Sequence, residues 1–446
     1  MNDFILPAQK QIESLEYAMR SAADALQSND NPVAIVHHND TDGLSAGAII
    51  SEALKRTGRE ARHYCMEQIY SAPLAAIYDN HSGPVIIVDL GVSKSHKDII
   101  FHKTRGRPTI LIDHHETDSE TLPIGHSDFF DINCTTYKID GDNYASASTV
   151  AYLFASKLCD VNDLAHLAVL GAAGDKNNTE KGRFPSEGLD KMVEDKAQSV
   201  RFEDVYQIRL AQEEPFQVMD EIINATMLLG SVGYRKQFEA ETGEALTGPC
   251  LGMRILITGY DENTREIVKN LEKTKEKAYA DLVQHLLEKK YTELDNLIFF
   301  DASDFFRGMG VKTVGNFCNH LTAPSRQQEF PFIRPNMYVM GAQLIEPITL
   351  GDTAIDAFSV PDVLKVSIRT HKELEARIEA SQNFSVYTLL KMANPKLFAS
   401  SHKLRGSTIV NRNKLLEFLE NCNSVINTGE SRPLQLPPEL EFSAEG

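Results

Sequence analysis

The chain has no tryptophan, no apolar run long enough to cross a bilayer and no paired cysteines. The first absence bears on no functional class. The second excludes a membrane-spanning helix, which needs about 20 consecutive apolar residues, and so a membrane partner of that kind. The six cysteines, Cys65, Cys134, Cys159, Cys250, Cys318 and Cys422, stand apart with no CxxC pair. That spacing argues against a disulfide framework or a thiolate zinc site and fits reduced thiols. The opening Met1-Asn2-Asp3-Phe4 lacks the basic and apolar regions of a signal peptide, so the expected location is cytoplasmic. Positive charge is also in short supply, with 45 Lys and Arg against 63 Asp and Glu, for a net charge of -18. Broad, non-specific binding to nucleic acid relies on a basic surface and is disfavoured. A polyanionic substrate is not excluded, because metal ions and a local basic groove can invert the sign at a site.

What is present is an ordinary globular composition, 42% hydrophobic and 24% charged, over 446 residues, enough for two or three domains. Residues 9–28 carry Ile12, Leu15, Ala18, Met19, Ala22 and Leu26 on one helical face, and Asn29-Asp30-Asn31-Pro32 ends that pattern. Strands at Val33–His37, Val85–Asp89 and Thr109–Ile112 then alternate with helices at 44–57, 146–159 and 163–171. This rhythm predicts an α/β fold with a parallel, doubly wound sheet. From about 190 to 292 the pattern reads as helical and charged, a connector or inserted helical unit. A smaller α/β block follows, starting at Leu297-Ile298-Phe299-Phe300, with strands near 336–341, 363–369 and 406–410 and a helix from Lys414 to about Cys422. The expected division is a catalytic domain over 1–190, a connector over 191–292, a substrate-binding domain over 293–428 and a frayed tail over 429–446.

Four segments carry chemistry. His37-His38-Asn39-Asp40-Thr41-Asp42-Gly43 follows a strand and opens a helix, with two aspartates one residue apart on a turn. Two such carboxylates can serve two different metals, and the helix N-terminus favours phosphate. The segment resembles half of an EF-hand loop, but Ile49 stands where the bidentate Glu is needed, so that reading fails. Asp89 ends the buried run Val85–Val88. Asp113-His114-His115 ends the run Pro108–Ile112, where open α/β sheets place their ligands. Asp175 follows the small residues Gly171-Ala172-Ala173-Gly174. A single strand-terminal aspartate is usually a helix cap or turn former. Four such sites together, mixing His and Asp at expected strand ends, point instead to hard divalent ions such as Mn²⁺, Mg²⁺ or Co²⁺. The ligand count fits two ions sharing a bridging carboxylate, as in two-metal phosphoryl chemistry.

Through these residues the chain resembles the DHH phosphoesterases, and more closely their RecJ-like branch of single-strand nucleases and nano-RNases. The matching residues are His38-Asn39-Asp40-Thr41-Asp42-Gly43, Asp89, Asp113-His114-His115 and Gly174-Asp175, in family order over the first ~190 residues. The resemblance implies one ion held by Asp40, Asp89 and His38, and a second held by Asp42, Asp89, His114 and Asp175. It implies that His115 contacts the scissile phosphate or orients water, the plainer alternative being a hydrogen bond to backbone that fixes the loop, and it makes Asp113 the residue that orients a histidine ring. His38 could also be a residue that only orients a ligand.

Further along, Lys365-Val366-Ser367-Ile368-Arg369 resembles the strand of the family's associated domain whose Ser367 and Arg369 equivalents face substrate phosphates. Phe398–Ser407 resembles a degenerate form of that domain's glycine-rich loop, with His402 and Gly406 at the matching positions. Serines, Ser400 and Ser401, stand where glycines normally let the backbone approach nucleic acid. Phosphate contact would then fall to Ser401, His402, Lys403, Arg405 and Gly406. Phe305–Asn316, which mixes basic and aromatic residues with glycine, reads either as a base-stacking groove or as a plain strand-to-helix loop.

The expected activity is metal-dependent hydrolysis of phosphodiester bonds in single-stranded DNA or short oligonucleotides, by a monomer or homodimer with manganese preferred. The alternatives are an exopolyphosphatase-like or pyrophosphatase-like enzyme, a cyclic-dinucleotide phosphodiesterase, and a nucleic-acid-binding scaffold without turnover.

Overall fold

The apolar runs at Val33–Val36, Val85–Val88 and Thr109–Ile112 lack the alternation of a strand with one wet face. They become three neighbouring strands buried at every position. The structure, a computed structural model, describes residues 8–92, 94–104, 106–115, 127–176, 187–240, 243–346, 348–350, 355–358, 362–394 and 403–428. It divides into two compact units. One is Met1–Lys275 with Gly308–Gly310 and Pro347–Phe358. The other is Glu276–Arg307, Val311–Glu346 and Ser359–Gly446.

The first unit opens with α1 (Gln9–Gln27), β1 (Val33–His37), α2 (Thr41–Arg56), β2 (Ala61–Cys65), α3 (Ser71–Asn80), β3 (Val85–Val88), α4 (Lys94–Lys103), β4 (Thr109–Asp113) and β5 (Phe129–Asn133). Helices α5 (Gly141–Tyr144), α6 (Ala147–Ala155), α7 (Ala165–Lys176) and α8 (Gly188–Glu194) follow. The sheet order is β2-β1-β3-β4-β5 and every pairing is parallel. The chain reverses its winding between β1 and β3, and ligands of open α/β sheets bind beyond the carboxyl ends of the strands at such a point. Register keeps those ends level, with His37 opposite Val88 and Val88 opposite Ile112. The expected doubly wound sheet is therefore present.

Three local expectations change. Helix α2 starts at Thr41 rather than residue 44, because the Asp40 side chain accepts from the Gly43 amide at 3.0 Å and caps it. Asp175 lies in the last turn of α7, not at a strand end. The stretch after 190 is not purely helical. It forms a three-stranded sheet of β6 (Val200–Phe202), β7 (Tyr206–Ile208) and β8 (Gln217–Val218), then α9 (Met219–Gly230). The pair β9 (Gln237–Glu239) and β10 (Ala245–Thr247) precedes α10 (Gly248–Thr258) and α11 (Glu262–Leu287). Strands this short carry too few residues for alternation to stand out from the charged background.

The second unit is a mixed sheet. Its strands are β11 (Thr292–Leu294), β12 (Leu297–Asp301), β13 (Tyr338–Leu344), β16 (Val363–Thr370) and β17 (Arg405–Asn411), in the order β11-β12-β13-β16-β17. Strands β14 (Ile348–Leu350) and β15 (Ile355–Phe358) form a separate pair. Helix α12 (Lys312–Thr322) follows β12. Helices α13 (Lys372–Glu379), α14 (Val386–Ala393) and α15 (Leu415–Thr428) bury Leu374, Leu390 and Phe418 in one core with Met340 and Val366. Phe306 is fully buried and packs against Tyr279 and Phe317, so it cannot offer its ring to a base. The loop at 305–316 is in that respect a packed strand-to-helix connection. Among the described residues, no helix is long and apolar enough to cross a membrane.

Candidate metal centre

His38 and Asp40 follow β1, Asp89 follows β3, and His114 and His115 follow β4, so three neighbouring strand ends deliver their side chains to one place. Asp42 joins them from the first turn of α2, and Asp175 from the end of α7. Three groups of side chains bring ligand atoms within 4.8 Å of one another: His38, Asp40 and Asp89; Asp42, His114 and Asp175; and Asp89, Asp113, His114 and His115. Histidine and carboxylate are the only ligand types in these groups.

Asp89 stands between the two imidazoles. Its Oδ2 lies 3.4 Å from His38 Nδ1 and its Oδ1 lies 3.5 Å from His114 Nε2. His38 Nδ1 is also 3.1 Å from Asp40 Oδ2, and His114 Nε2 is 3.9 Å from Asp175 Oδ2 and 4.0 Å from Asp42 Oδ2. The two histidines present opposite nitrogens because the backbone holds the other one. The Glu67 carbonyl is 3.2 Å from His38 Nε2, and the Gly141 carbonyl is 3.2 Å from His114 Nδ1. Each ring therefore donates outward through that nitrogen, and its other nitrogen, which faces the carboxylates, is the one a cation would take in place of a proton. Asp89 achieves its position with a left-handed backbone, φ 60°, which is costly for a residue with a Cβ and recurs at functional sites.

Asp42 is held rigidly. Its two oxygens accept from the amides of Ala147 at 2.8 Å and Ser148 at 2.9 Å, the first residues of α6. Gly171 lets α7 come this close, since a Cβ there would sit 2.6 Å from Asp42 Oδ1 and 2.3 Å from Ser148 Oγ. The run of small residues before Asp175 thus serves helix packing around the site. Asp113 accepts from the His114 amide, the Gly91 amide and His115 Nδ1, the last at 2.7 Å. Those bonds make it the partner of the His115 ring.

Asp42 and Asp89 are 1% and 3% exposed, and among the described residues no Lys or Arg is bonded to either. Buried carboxylates need compensating charge. A hard divalent cation, with these oxygen and imidazole donors, fits that need. Burial, then the charges of Asp89 and Asp175, pushes the Asp42 carboxyl up to about 7. Burial opposes charge on His114, but Asp175, Asp89 and Asp42 outweigh it and hold the ring well above its ordinary value. Burial would also raise Asp113, yet His115 and His114 keep it at about 2.

The signs give a first prediction. Asp42 takes up a proton on folding between its unfolded value near 4 and its folded value of about 7, so its contribution to stability falls as pH rises through that window. His114, raised on folding, also contributes less as pH climbs toward its folded value. His37, His81, His96 and His166, all lowered on folding by burial, act in the opposite sense up to about pH 6.5, so the metal-free protein should lose melting temperature from about pH 7 to pH 8, and saturating Mn²⁺ should remove most of that slope. Thermal scans across pH with and without Mn²⁺ check this. A metal-free melting temperature that rises over that range would contradict it.

The remaining expected residues lie on the second unit. Ser367 and Arg369 sit on β16, paired with Ser407 and Arg405 of β17, and Gly406 pairs with Ile368. The Arg369 guanidinium donates to Asn319 Oδ1 and to the carbonyls of Ile368 and Gly406. Burial lowers its pKa to about 10. Lys403 and Arg405 are exposed. Ser400, Ser401 and His402 lie outside the described residues. His37 is buried with its Nδ1 against the His38 carbonyl, and burial lowers its pKa to about 3. His320 packs among aromatic rings, and His371 caps α13.

Sequence reasoning missed the supports: the Glu67 and Gly141 carbonyls, the α6 amides, and Gly230, whose carbonyl accepts from Asn39 Nδ2 at 2.6 Å. Backbone groups carry no side-chain signature. The one usable signal was Ser146, a helix cap that places the α6 amides.

Comparison with known proteins gives a family match for part of the chain and a likeness of fold for most of it. Residues 32–174 match the DHH family, N-terminal domain. An uncharacterized protein of Methanocaldococcus jannaschii is 26% identical over 198 residues, 43% of this chain and 43% of that protein, so the match spans less than half of either. RecJ from Thermus thermophilus in complex with Mn²⁺ gives a TM-score of 0.57 at 14% identity, covering 92% of this chain and 54% of that one. An exonuclease RecJ bound to manganese gives 0.55 at 14% identity, covering 92% and 93%. The DHH domain of a member of the s1p family of ribosomal proteins gives 0.56 at 14%, covering 95% and 93%. At such identities the likeness is one of fold.

Proposed function

We propose, on the match of residues 32–174 to the DHH family, N-terminal domain, and on the likeness of fold to RecJ, that the chain is a two-metal phosphoesterase. Its best substrate is single-stranded DNA or a short oligonucleotide. The observation that carries this reading is the Asp89 carboxylate, with one oxygen toward His38 and the other toward His114. Such a carboxylate could serve both ions of a pair. His38 and Asp40 would complete one site, and Asp42, His114 and Asp175 the other. Two divalent cations, Mn²⁺ first and Mg²⁺ or Co²⁺ as substitutes, would supply Lewis acidity and an activated water nucleophile.

The chain's own residues do the rest. Asp113 binds His115 through Nδ1, so donation to a non-bridging phosphate oxygen would come from Nε2. On the second unit, Arg369 keeps its charge at neutral pH, and among the described residues its hydrogen bonds go to neutral acceptors. Its planar fork suits a phosphate, with Ser367, Lys403, Arg405 and Gly406 beside it in the sheet or just before it and Ser401 and His402 proposed from the sequence alone. The net charge of -18 favours a short substrate over a long polyanion, which keeps a short polyphosphate or a cyclic dinucleotide as the second reading.

The test is a side-by-side assay of single-stranded DNA, short RNA, a cyclic dinucleotide and polyphosphate with Mn²⁺, Mg²⁺ and Co²⁺. The expected result is Mn²⁺-dependent release of nucleotides that stops with EDTA and returns with added Mn²⁺. Cleavage of polyphosphate or a cyclic dinucleotide alone would move the assignment to the second reading. Inertness toward all four substrates would reject both.

A further inference from the structure

His115 is gripped at two points. Its ring bonds to Asp113, and its backbone carbonyl accepts two further hydrogen bonds that no motif accounts for. Asn133 Nδ2 donates to that carbonyl at 2.9 Å, and Thr135 Oγ1 donates to it at 3.1 Å. Asn133 is the last residue of β5 and is fully buried, while Thr135 sits on the short helical turn that follows.

The orientation of the Asn133 amide is fixed by its neighbours. Its Oδ1 accepts from the Thr135 amide at 3.0 Å, and the single proton of the Thr135 hydroxyl is shared between that oxygen, at 2.9 Å, and the His115 carbonyl. That leaves Nδ2 as the donor facing His115, since the other end of the amide is already satisfied. Behind it, the Asn133 backbone amide donates to Asp131 Oδ1 at 3.0 Å, and Asp131 Oδ2 lies 3.4 Å from Lys97 Nζ. The Tyr137 hydroxyl donates to the Asp131 carbonyl at 2.9 Å. A helix, the edge strand and its turn are thus tied together to deliver two donors to one carbonyl. Networks of this kind are costly if only partly satisfied, which argues for a definite task.

Resting on the phosphoesterase reading above, we propose that Asn133 and Thr135 are positioning residues. They fix the peptide plane after His115, so that its ring stays on Asp113 and Nε2 stays aimed at the substrate phosphate. Neither residue touches an ion or a substrate in this arrangement. Their effect passes through the His115 backbone alone.

The variants that separate donation from packing are Asn133→Asp and Thr135→Val. Aspartate keeps the shape and the cap on the Thr135 amide but turns a second acceptor toward the His115 carbonyl. Valine keeps the volume of threonine and removes its hydroxyl. Each should lower kcat on a single-stranded oligonucleotide by about 10-fold to 100-fold, the usual loss for a residue that orients a working side chain. KM and the Mn²⁺ affinity should not move with it, and Thr135→Ser should restore the rate.

A second readout does not depend on turnover. In the Mg²⁺-loaded protein labelled with ¹⁵N-histidine, with the His115 signals identified from His115→Gln, the wild type should show an Nδ1 proton held in a hydrogen bond to Asp113. Asn133→Asp and Thr135→Val should weaken that bond and open the proton to exchange. Unchanged kcat and an unchanged Nδ1 proton in both variants would overturn the proposal. So would a loss of rate that merely follows Mn²⁺ affinity or the folded fraction, because it would make the two residues structural. Loss of the Nδ1 bond in the variants of a protein inert toward oligonucleotides would support the positioning role and count against the nuclease reading instead.

Discussion

Asp89→Ala is expected to abolish binding of both ions and to lower turnover by at least about 10³-fold, or about 4 kcal/mol of transition-state stabilisation. No other carboxylate faces both histidines within 3.5 Å, among the described residues. Its loss leaves His38 with Asp40 on one side and His114 with Asp42 and Asp175 on the other, with nothing shared. Alanine also has to adopt φ 60° there, which is unfavourable for a residue with a Cβ. Asp89→Asn is the cleaner companion, because asparagine tolerates the left-handed region and keeps the shape while removing the charge. It should fold with a normal melting temperature and be inactive. Kinetics and Mn²⁺ titration of both variants check this. Asp89→Asn with wild-type turnover would show that the residue does not bridge.

Gly230→Ala carries the second large effect, from a segment that the sequence reads as a connector. Gly230 ends α9, and a Cβ there would lie 1.7 Å from the Asn39 carbonyl oxygen. The obstacle is backbone, so no rotamer change relieves it. Overpacking of a tight contact costs about 1–3 kcal/mol, and a clash this deep belongs at or beyond the upper end. Asn39 sits between His38 and Asp40, and its side chain is tied to the Gly230 carbonyl. Moving α9 therefore moves the loop that carries two proposed ligands. Both the melting temperature and the Mn²⁺ affinity should fall. A variant with lower stability and full Mn²⁺ affinity would show that α9 supports the fold but not the site.

The legible parts of this molecule share a physical reason. Strands β1, β3 and β4 are buried on both faces, so they are continuous apolar runs, and a polar residue just past such a run stands out. Asp40, Asp89, His114 and His115 were visible for that cause. Asp42 and Asp175 were visible only through their neighbours, since both lie on helices where an acidic residue is unremarkable. Strand β2, Ala-Arg-His-Tyr-Cys, is an edge strand with part of its surface wet, and it shows no run at all. Strand β5 begins half-exposed and ends in Asp131 and Asn133, so its polar residues mask it. The supports of the site are backbone amides and carbonyls from α6, the loop after β2 and the start of α5. Their placement is a tertiary fact that no local pattern encodes.

The central claim is that one carboxylate joins two metal sites. It is tested most directly by counting Mn²⁺ bound to the wild-type chain by calorimetric titration, with electron paramagnetic resonance on the same samples. The account predicts two ions per chain, exchange-coupled in the loaded protein, and loss of the coupled signal in Asp89→Asn. One ion per chain, or two that remain uncoupled at saturation, would contradict it.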